Sequence, residues 1–203
     1  TMTGTRFEGV LGEGKVEKVQ TDRRALKADM VVLSIGIRAN TAFLADTGIE
    51  LAPNRTVLVN DHMQTNDPDI YAVGDCAMVT NRITGAAAWS PMGSTANITG
   101  RMAAKNMAGK DTAYHGAMGT AVCQLPKLNA GRTGMSEAQA KEAGFDAVSV
   151  IMVTDDKAHY MPGADSFIIK LIADRESRRL LGVQVLGKGA VDKVVDTCVA
   201  AIA

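Results

Sequence analysis

The sequence predicts an α/β region followed by an α+β region, and three observations carry that reading. Residues 29–36 and 70–74 are short, continuously apolar runs closed by glycine, the pattern of strands buried on both faces in a parallel sheet. Beyond residue 119, strand-like segments outnumber helical ones, as in an antiparallel sheet with helices on one face. Between them, composition shifts over residues 111–119, which reads as a domain boundary.

Taken in order, residues 6–19 read as β-rich, with glycines at 9, 12 and 14 and a polar turn at 21–24. The apolar strand at 29–36 follows. Asn40 or Thr41 is placed to cap a short helix through Asp46, with Gly48 ending it. Residues 57–59 and 70–73 read as further strands, the second stopping abruptly at Gly74-Asp75. A long Ala- and Met-rich helix is expected over residues 92–107, stopped by Gly109. Later strands are expected around 120–124, 128–133, 148–154, 166–173 and 180–186. Helices are expected at 136–143 and 190–203. Ser136 with Gln139 at the third helical position is a capping-box pattern, and Gly144 is a plausible stop.

Composition excludes several classes of function. Lysine plus arginine and aspartate plus glutamate both number 22 in the 203 residues, so the formal charge is zero. A general nucleic-acid binder carries a basic surplus, so no nucleic-acid partner is expected. Only 4% of residues are aromatic, too few for base-stacking platforms. No apolar run has the length of a membrane span, and the first residues lack a signal peptide's pattern. Cys76, Cys123 and Cys198 are odd in number and widely spaced, which fits a reducing, cytoplasmic setting. The three histidines lie far from them in sequence, so no metal site is expected.

The segment from Thr65 to Asp75 carries the sharpest chemistry. An apolar strand ends at Gly74, where the missing Cβ lets a ligand approach the backbone. Asp75 then stands at the carboxyl end of that strand, where open α/β sheets bind ligands, and its carboxylate can accept hydrogen bonds from a polyol hydroxyl. A Gly-Asp pair alone is also a common turn. The whole pattern, Thr followed after six residues by Ala-x-Gly-Asp and ending Ala72-Val73-Gly74-Asp75, resembles the second flavin fingerprint of the FAD-dependent pyridine nucleotide-disulfide oxidoreductases.

That resemblance implies a partial FAD/NAD(P)-binding Rossmann-like region followed by an α+β dimerisation domain. It implies the end of an NAD(P)-binding domain over 1–35, the second part of an FAD-binding domain over 36–112, and a dimerisation domain, truncated at its end, over 113–203. By the same resemblance Asp75 would bind the ribitol of FAD, Gly74 would let it come close, and Thr65 would fix the preceding turn. Residues 31–40 look like the crossing from the NAD domain to the FAD domain, with Ala39 where the family often has Pro. Residues 91–101 resemble the helix whose N-terminus points at the flavin pyrimidine ring, which puts Pro91, Met92 and Ala96 beside the cofactor. Unpaired N–H groups and the positive dipole end there would stabilise negative charge.

Past residue 115 the resemblance narrows to the NADH oxidase and coenzyme A-disulfide reductase branch, through residues 131–138, 159–164, 181–187 and 191–196. It implies a homodimer in which the Tyr160 segment approaches the partner's thiol site, making Tyr160 a possible catalytic contributor. Met161 stands where a second tyrosine is often found. No GxGxxG opens a helix in this sequence: Gly12-Glu13-Gly14 and Gly187-Lys188-Gly189 are lone pairs and are discarded. The family's glycine fingerprints and redox cysteine are therefore expected upstream, in a missing amino-terminal half. Cys76, beside Asp75, lacks the electropositive surroundings of a nucleophile and reads as packing, as do Cys123 and Cys198.

The expected function is the carboxyl-terminal portion of an FAD-dependent NAD(P)H oxidoreductase, passing hydride from NAD(P)H through FAD to a disulfide, oxygen or peroxide. The alternative is a non-catalytic dimerisation and binding module. Turnover by the 203-residue chain itself is not expected.

Overall fold

The computed structural model describes all 203 residues, which divide into two compact units, residues 1–38 and 39–203. In the first unit, β1 (Phe7–Leu11), β2 (Lys18–Thr21) and β3 (Ala25–Lys27) form an antiparallel meander in that order. The turn between β2 and β3 is held by the Thr21 hydroxyl, which donates to the Arg24 carbonyl at 2.7 Å and accepts from the Arg24 N–H at 3.0 Å.

The strand expected at 29–36 does not form. Residues 30–38 make no strand pairing, and Met30, Val32, Leu33 and Ile35 are all exposed, Ile35 at 82%. A continuous apolar run becomes a two-face-buried strand only when neighbouring strands satisfy its backbone and cover both sides. No strand of this chain lies beside it, so the pattern remains without its structure.

The second unit begins with turns. Residues 42–44 form a single 3-10 turn rather than the longer helix expected; Thr41 does not cap it, because its hydroxyl donates to the Arg55 carbonyl at 2.6 Å. The strands expected at 57–59 and 70–73 reduce to isolated bridges. Val57 pairs with Leu51 and, in parallel, with Ala77; Tyr71 pairs with Gln64. A short hairpin, β4 (Val79–Thr80) with β5 (Ala87–Ala88), leads to helix α1 (Gly93–Met107). The buried stripe of α1 is Thr95, Thr99 and Ala103, spaced four apart and small, so neighbouring backbone can come close. The helix ends with Lys110 N–H donating to the Lys105 carbonyl at 2.9 Å, past Gly109.

The rest is an antiparallel sheet of five strands in the order β6-β7-β10-β9-β8. The strands are β6 (Ala121–Gln124), β7 (Asn129–Gly134), β8 (Ala147–Asp155), β9 (Ser166–Asp174) and β10 (Leu180–Gly187). Helices α2 (Glu137–Glu142) and α3 (Val191–Ile202) complete it. Each expected boundary here lies within two residues of the observed one. In β10, Leu181, Val183 and Val185 are buried while Gln184 between them is exposed, the alternation of a sheet with one covered face. Val191, Val195 and Cys198, at helical spacing, cover that face from α3. Each fully buried valine contributes about 1.5–3 kcal/mol.

The approach of α3 depends on Gly131, whose added Cβ would lie 2.7 Å from a Val195 methyl. A second cluster joins Met135, Ala140, Ala147, Ile172 and Leu181, and the tip of the β4–β5 hairpin plugs it with Ile83. The capping box predicted at α2 is complete: Gln139 N–H donates to the Ser136 hydroxyl at 3.3 Å, and Ser136 N–H donates to the Gln139 side-chain oxygen at 2.9 Å. No helix is long and apolar enough to cross a membrane.

Candidate flavin-contacting site

The site grows out of the turn that precedes Gly74. Thr65 N–H donates to the Ile70 carbonyl at 2.9 Å, while its hydroxyl bonds both the N–H and the carbonyl of Asp67 at 3.1 Å. Asn66 ties the same turn to residues 48–50, donating to the Gly48 carbonyl and accepting from Glu50 N–H, each at 2.9 Å. These bonds fix the turn through which the chain reaches Gly74.

Gly74 to Cys76 then form one 3-10 turn. Gly74 takes φ +78°, a conformation that favours glycine. Its α-carbon also faces α1: a Cβ built there would sit 3.7 Å from the Ala96 Cβ, an ordinary contact. The turn packs against α1, so Gly74, Asp75 and Ala96 come together, with Met92 at the helix cap. Asp75 is exposed, and its carboxylate makes no hydrogen bond within the chain. Its main chain is held: Trp89 Nε1–H donates to the Asp75 carbonyl at 2.8 Å. A fixed backbone carrying an unengaged carboxylate is the arrangement a hydroxyl-rich ligand needs.

Half-buried Pro91 leads into α1, and Met92 caps it in extended conformation without a side-chain cap. The first turn's N–H groups have no preceding helical carbonyl to bond, and Gly93 and Ser94 there are exposed. Ser90 and Thr95 hydroxyls, 2.9 Å apart, brace the entry. Positive dipole and free donors thus stand at the N-terminal end of α1, the helix against which the Gly74–Cys76 turn packs.

Trp89, Ser90 and Thr95 are the residues sequence reasoning missed. A lone tryptophan two positions before the helix-entry proline was the available signal.

Other expected residues lie elsewhere. Tyr160 is 80% exposed on the loop between β8 and β9, its ring edge-on to His159 with centroids 5.8 Å apart. Asp156 and Asp165 close that loop: Asp165 N–H donates to the Asp156 carboxylate at 2.9 Å, and Lys188 pairs with Asp165 at 2.7 Å. The Lys188 hydrogen bond holds the Asp165 carboxyl below its ordinary range. Of the cysteines, Cys198 is buried and its thiol is pushed up by burial. Cys76 is half-buried, its thiol directed to the Val73 carbonyl at 3.4 Å. Cys123 departs from the packing expectation: it is exposed, on the sheet face opposite α3, because β6 is an edge strand with no layer over it.

Residues 1–99 match the family model described as pyridine nucleotide-disulphide oxidoreductase, and residues 120–203 match that family's dimerisation domain. The chain is 35% identical over 189 residues to an NAD(P)H coenzyme A polysulfide/persulfide reductase of Pyrococcus horikoshii, covering 93% of this chain and 42% of that protein. It is 30% identical over 185 residues to an NADH oxidase of Enterococcus faecalis, covering 91% of this chain and 41% of that protein. Among solved structures, a NAD-dependent persulfide reductase from A. fulgidus superposes with TM-score 0.92 at 34% identity, covering 99% of this chain and 38% of that one. The chain spans about 40% of the length of the curated relatives it matches. Its two family-model matches and these relatives agree: the chain belongs to the pyridine nucleotide-disulphide oxidoreductase family.

Proposed function

We propose that this chain supplies part of the flavin site and the dimer interface of an FAD-dependent NAD(P)H oxidoreductase acting on a disulfide, oxygen or peroxide. The observation that carries the reading is Asp75: an unengaged carboxylate on a backbone fixed by Trp89, beside the first turn of α1. The residues present fit FAD. Asp75 would accept hydrogen bonds from the ribityl hydroxyls, and Gly74, lacking a side chain, would let the ligand reach the backbone. Thr65 would hold the approach to both. Pro91, Met92 and Ala96 would line the helix-entry side, where the free N–H groups favour negative charge. The bound flavin supplies hydride and electron transfer, while the chain supplies orientation and electrostatics. Tyr160, on its closed exposed loop, would serve a second subunit's site rather than the Asp75 group of its own chain.

The sheet supports the dimer part of the reading. Its face opposite α3 holds a cavity of about 450 Å³ lined by residues including Cys123, Ala130, Ile168 and Leu186. Edge strand β8 exposes Val150, Ile151, Met152 and Val153, a run that a monomer in water leaves open to pairing. A second copy of this chain is the proposed cover. Three free thiols fit a reducing, cytoplasmic setting.

The alternative, a dimerisation and binding module without catalysis, is favoured by one observation: the five-stranded sheet is complete, whereas the apolar run at 30–37 is unpaired.

Two measurements test the proposal. In the flavin-loaded full-length protein, Asp75→Ala should weaken FAD binding roughly 10- to 150-fold, the equivalent of losing about 1.5–3 kcal/mol of hydrogen bonding to a charged group. Asp69→Ala, a nearby exposed carboxylate, should leave it unchanged; equal effects of the two would reject the site. A visible spectrum of the purified 203-residue chain with flavin bands near one per chain supports retained binding, and a colourless chain supports the module reading.

A further inference from the structure

Far from Asp75, at the other end of α1, His62 sits between two carboxylates. Its Nδ1 lies 2.7 Å from Asp61 and its Nε2 lies 2.6 Å from Asp111. An ionised carboxylate only accepts hydrogen bonds, and a neutral imidazole has a single N–H to give. Both contacts therefore exist together only when the ring carries a proton on each nitrogen. We propose that His62 is carried as an imidazolium that staples the 60–64 turn to the segment leaving α1, and that loss of its proton releases Asp111.

The surrounding bonds define what the staple joins. Asn106, in the last turn of α1, donates to the carbonyls of His62 and Thr112, each at 2.9 Å. Thr112 N–H donates to the Asn106 side-chain oxygen at 2.9 Å, and Tyr114 N–H donates to the Asp61 carbonyl at 2.8 Å. These neutral bonds hold at any pH. The charged pair adds a proton-dependent tie between the turn that leads into Thr65 and the passage from α1 towards the five-stranded sheet.

Asp61, on the same turn, and Asp111, beyond α1, are the charged groups acting on the ring; the α1 residue bonded to this turn is the neutral Asn106. The hydrogen bonds to Asp111 and then Asp61 raise the His62 pKa above its ordinary value, against a smaller effect of burial. A raised folded-state pKa means the contribution is complete below about pH 6.5, the unfolded value, and is lost as pH rises through the folded one. Asp111 is the partner released. Its side chain is 95% exposed and joins His62 across 49 positions of sequence, whereas Asp61 is the ring's chain neighbour.

Imidazole NMR on the 203-residue chain tests this with no reference to flavin. The His62 midpoint should lie above the ordinary imidazole value of about 6.5, and Asp111→Asn should lower it. The backbone amide signals of Thr112 and Tyr114 should shift with the His62 midpoint in the parent chain and lose that titration in Asp111→Asn. Asp61→Asn, which keeps the long-range tie, should lower the midpoint while leaving those amides coupled to it. A His62 midpoint at the ordinary imidazole value and unmoved by Asp111→Asn would overturn the proposal. Amides at 112 and 114 that ignore the His62 titration would overturn the staple even with a raised midpoint.

Discussion

Two stretches of this chain carry nearly the same sequence signal and reach opposite ends. Residues 30–37 and strand β10 are both short apolar runs rich in Val and Leu. β10 lies between β7 and β9, hydrogen-bonded to both, with α3 over one face. Leu181 and Val183 there are wholly buried, whereas Ile35 is 82% exposed and unpaired. The difference lies in neighbours, since a strand's stability belongs to the pairing and covering surfaces around it. Residues 57–59 and 70–73 stand between these extremes, each keeping one or two bridges. In consequence, Asp75, the proposed flavin contact, is positioned by turns and a helix end rather than by a sheet edge.

The sharpest way to break that comparison is to truncate one apolar side chain in each stretch. Leu181→Ala should cost about 2–5 kcal/mol, because it leaves a cavity in a buried cluster. Ile35→Ala should change stability by no more than about 0.5 kcal/mol. Urea unfolding of both variants reads the contrast, and comparable losses would show that residues 30–37 are packed after all.

A smaller effect sharpens the sheet side. Glu137 in α2 accepts from Lys141 at 2.7 Å, Lys170 in β9 at 2.8 Å and Ser149 in β8 at 2.7 Å. These bonds, led by Lys141, hold its pKa down to about 2 from an ordinary 4.5. A depressed carboxylate contributes above the unfolded value and loses that contribution as pH falls through the folded one. Stability of the parent chain should thus decline between about pH 4.5 and 2, and Glu137→Gln should flatten that part of the profile. The site is solvent-facing, so the change is modest and shrinks with added salt. An identical acid profile in parent and variant would remove Glu137 from the account.

How much was legible follows from the same contrast. The sheet and its helices could be read because their signals are local: alternation in β10, the Ser136–Gln139 box, and i, i+4, i+7 spacing in α3. The strand at 29–36 was misread because apolar continuity records how a segment is buried once partners arrive, and says nothing of whether they do. At the site, Gly74 and Asp75 were visible as a motif. Trp89 was not, since a side chain donating to a main-chain carbonyl fourteen positions away leaves no periodic trace. The exposure of Cys123 was likewise hidden, because it depends on β6 being an edge.

Hydrogen exchange, on the 203-residue chain for the two stretches and on the full-length protein with and without FAD for the site, tests the division of labour most directly. Amides of β7, β9 and β10 should exchange only through global unfolding, while those of residues 31–37 exchange freely. In the full-length protein FAD should slow residues 74–77 and 93–96 and leave the sheet unchanged. Protection of 31–37 equal to that of β10, or slowing by FAD confined to the sheet, would contradict the account.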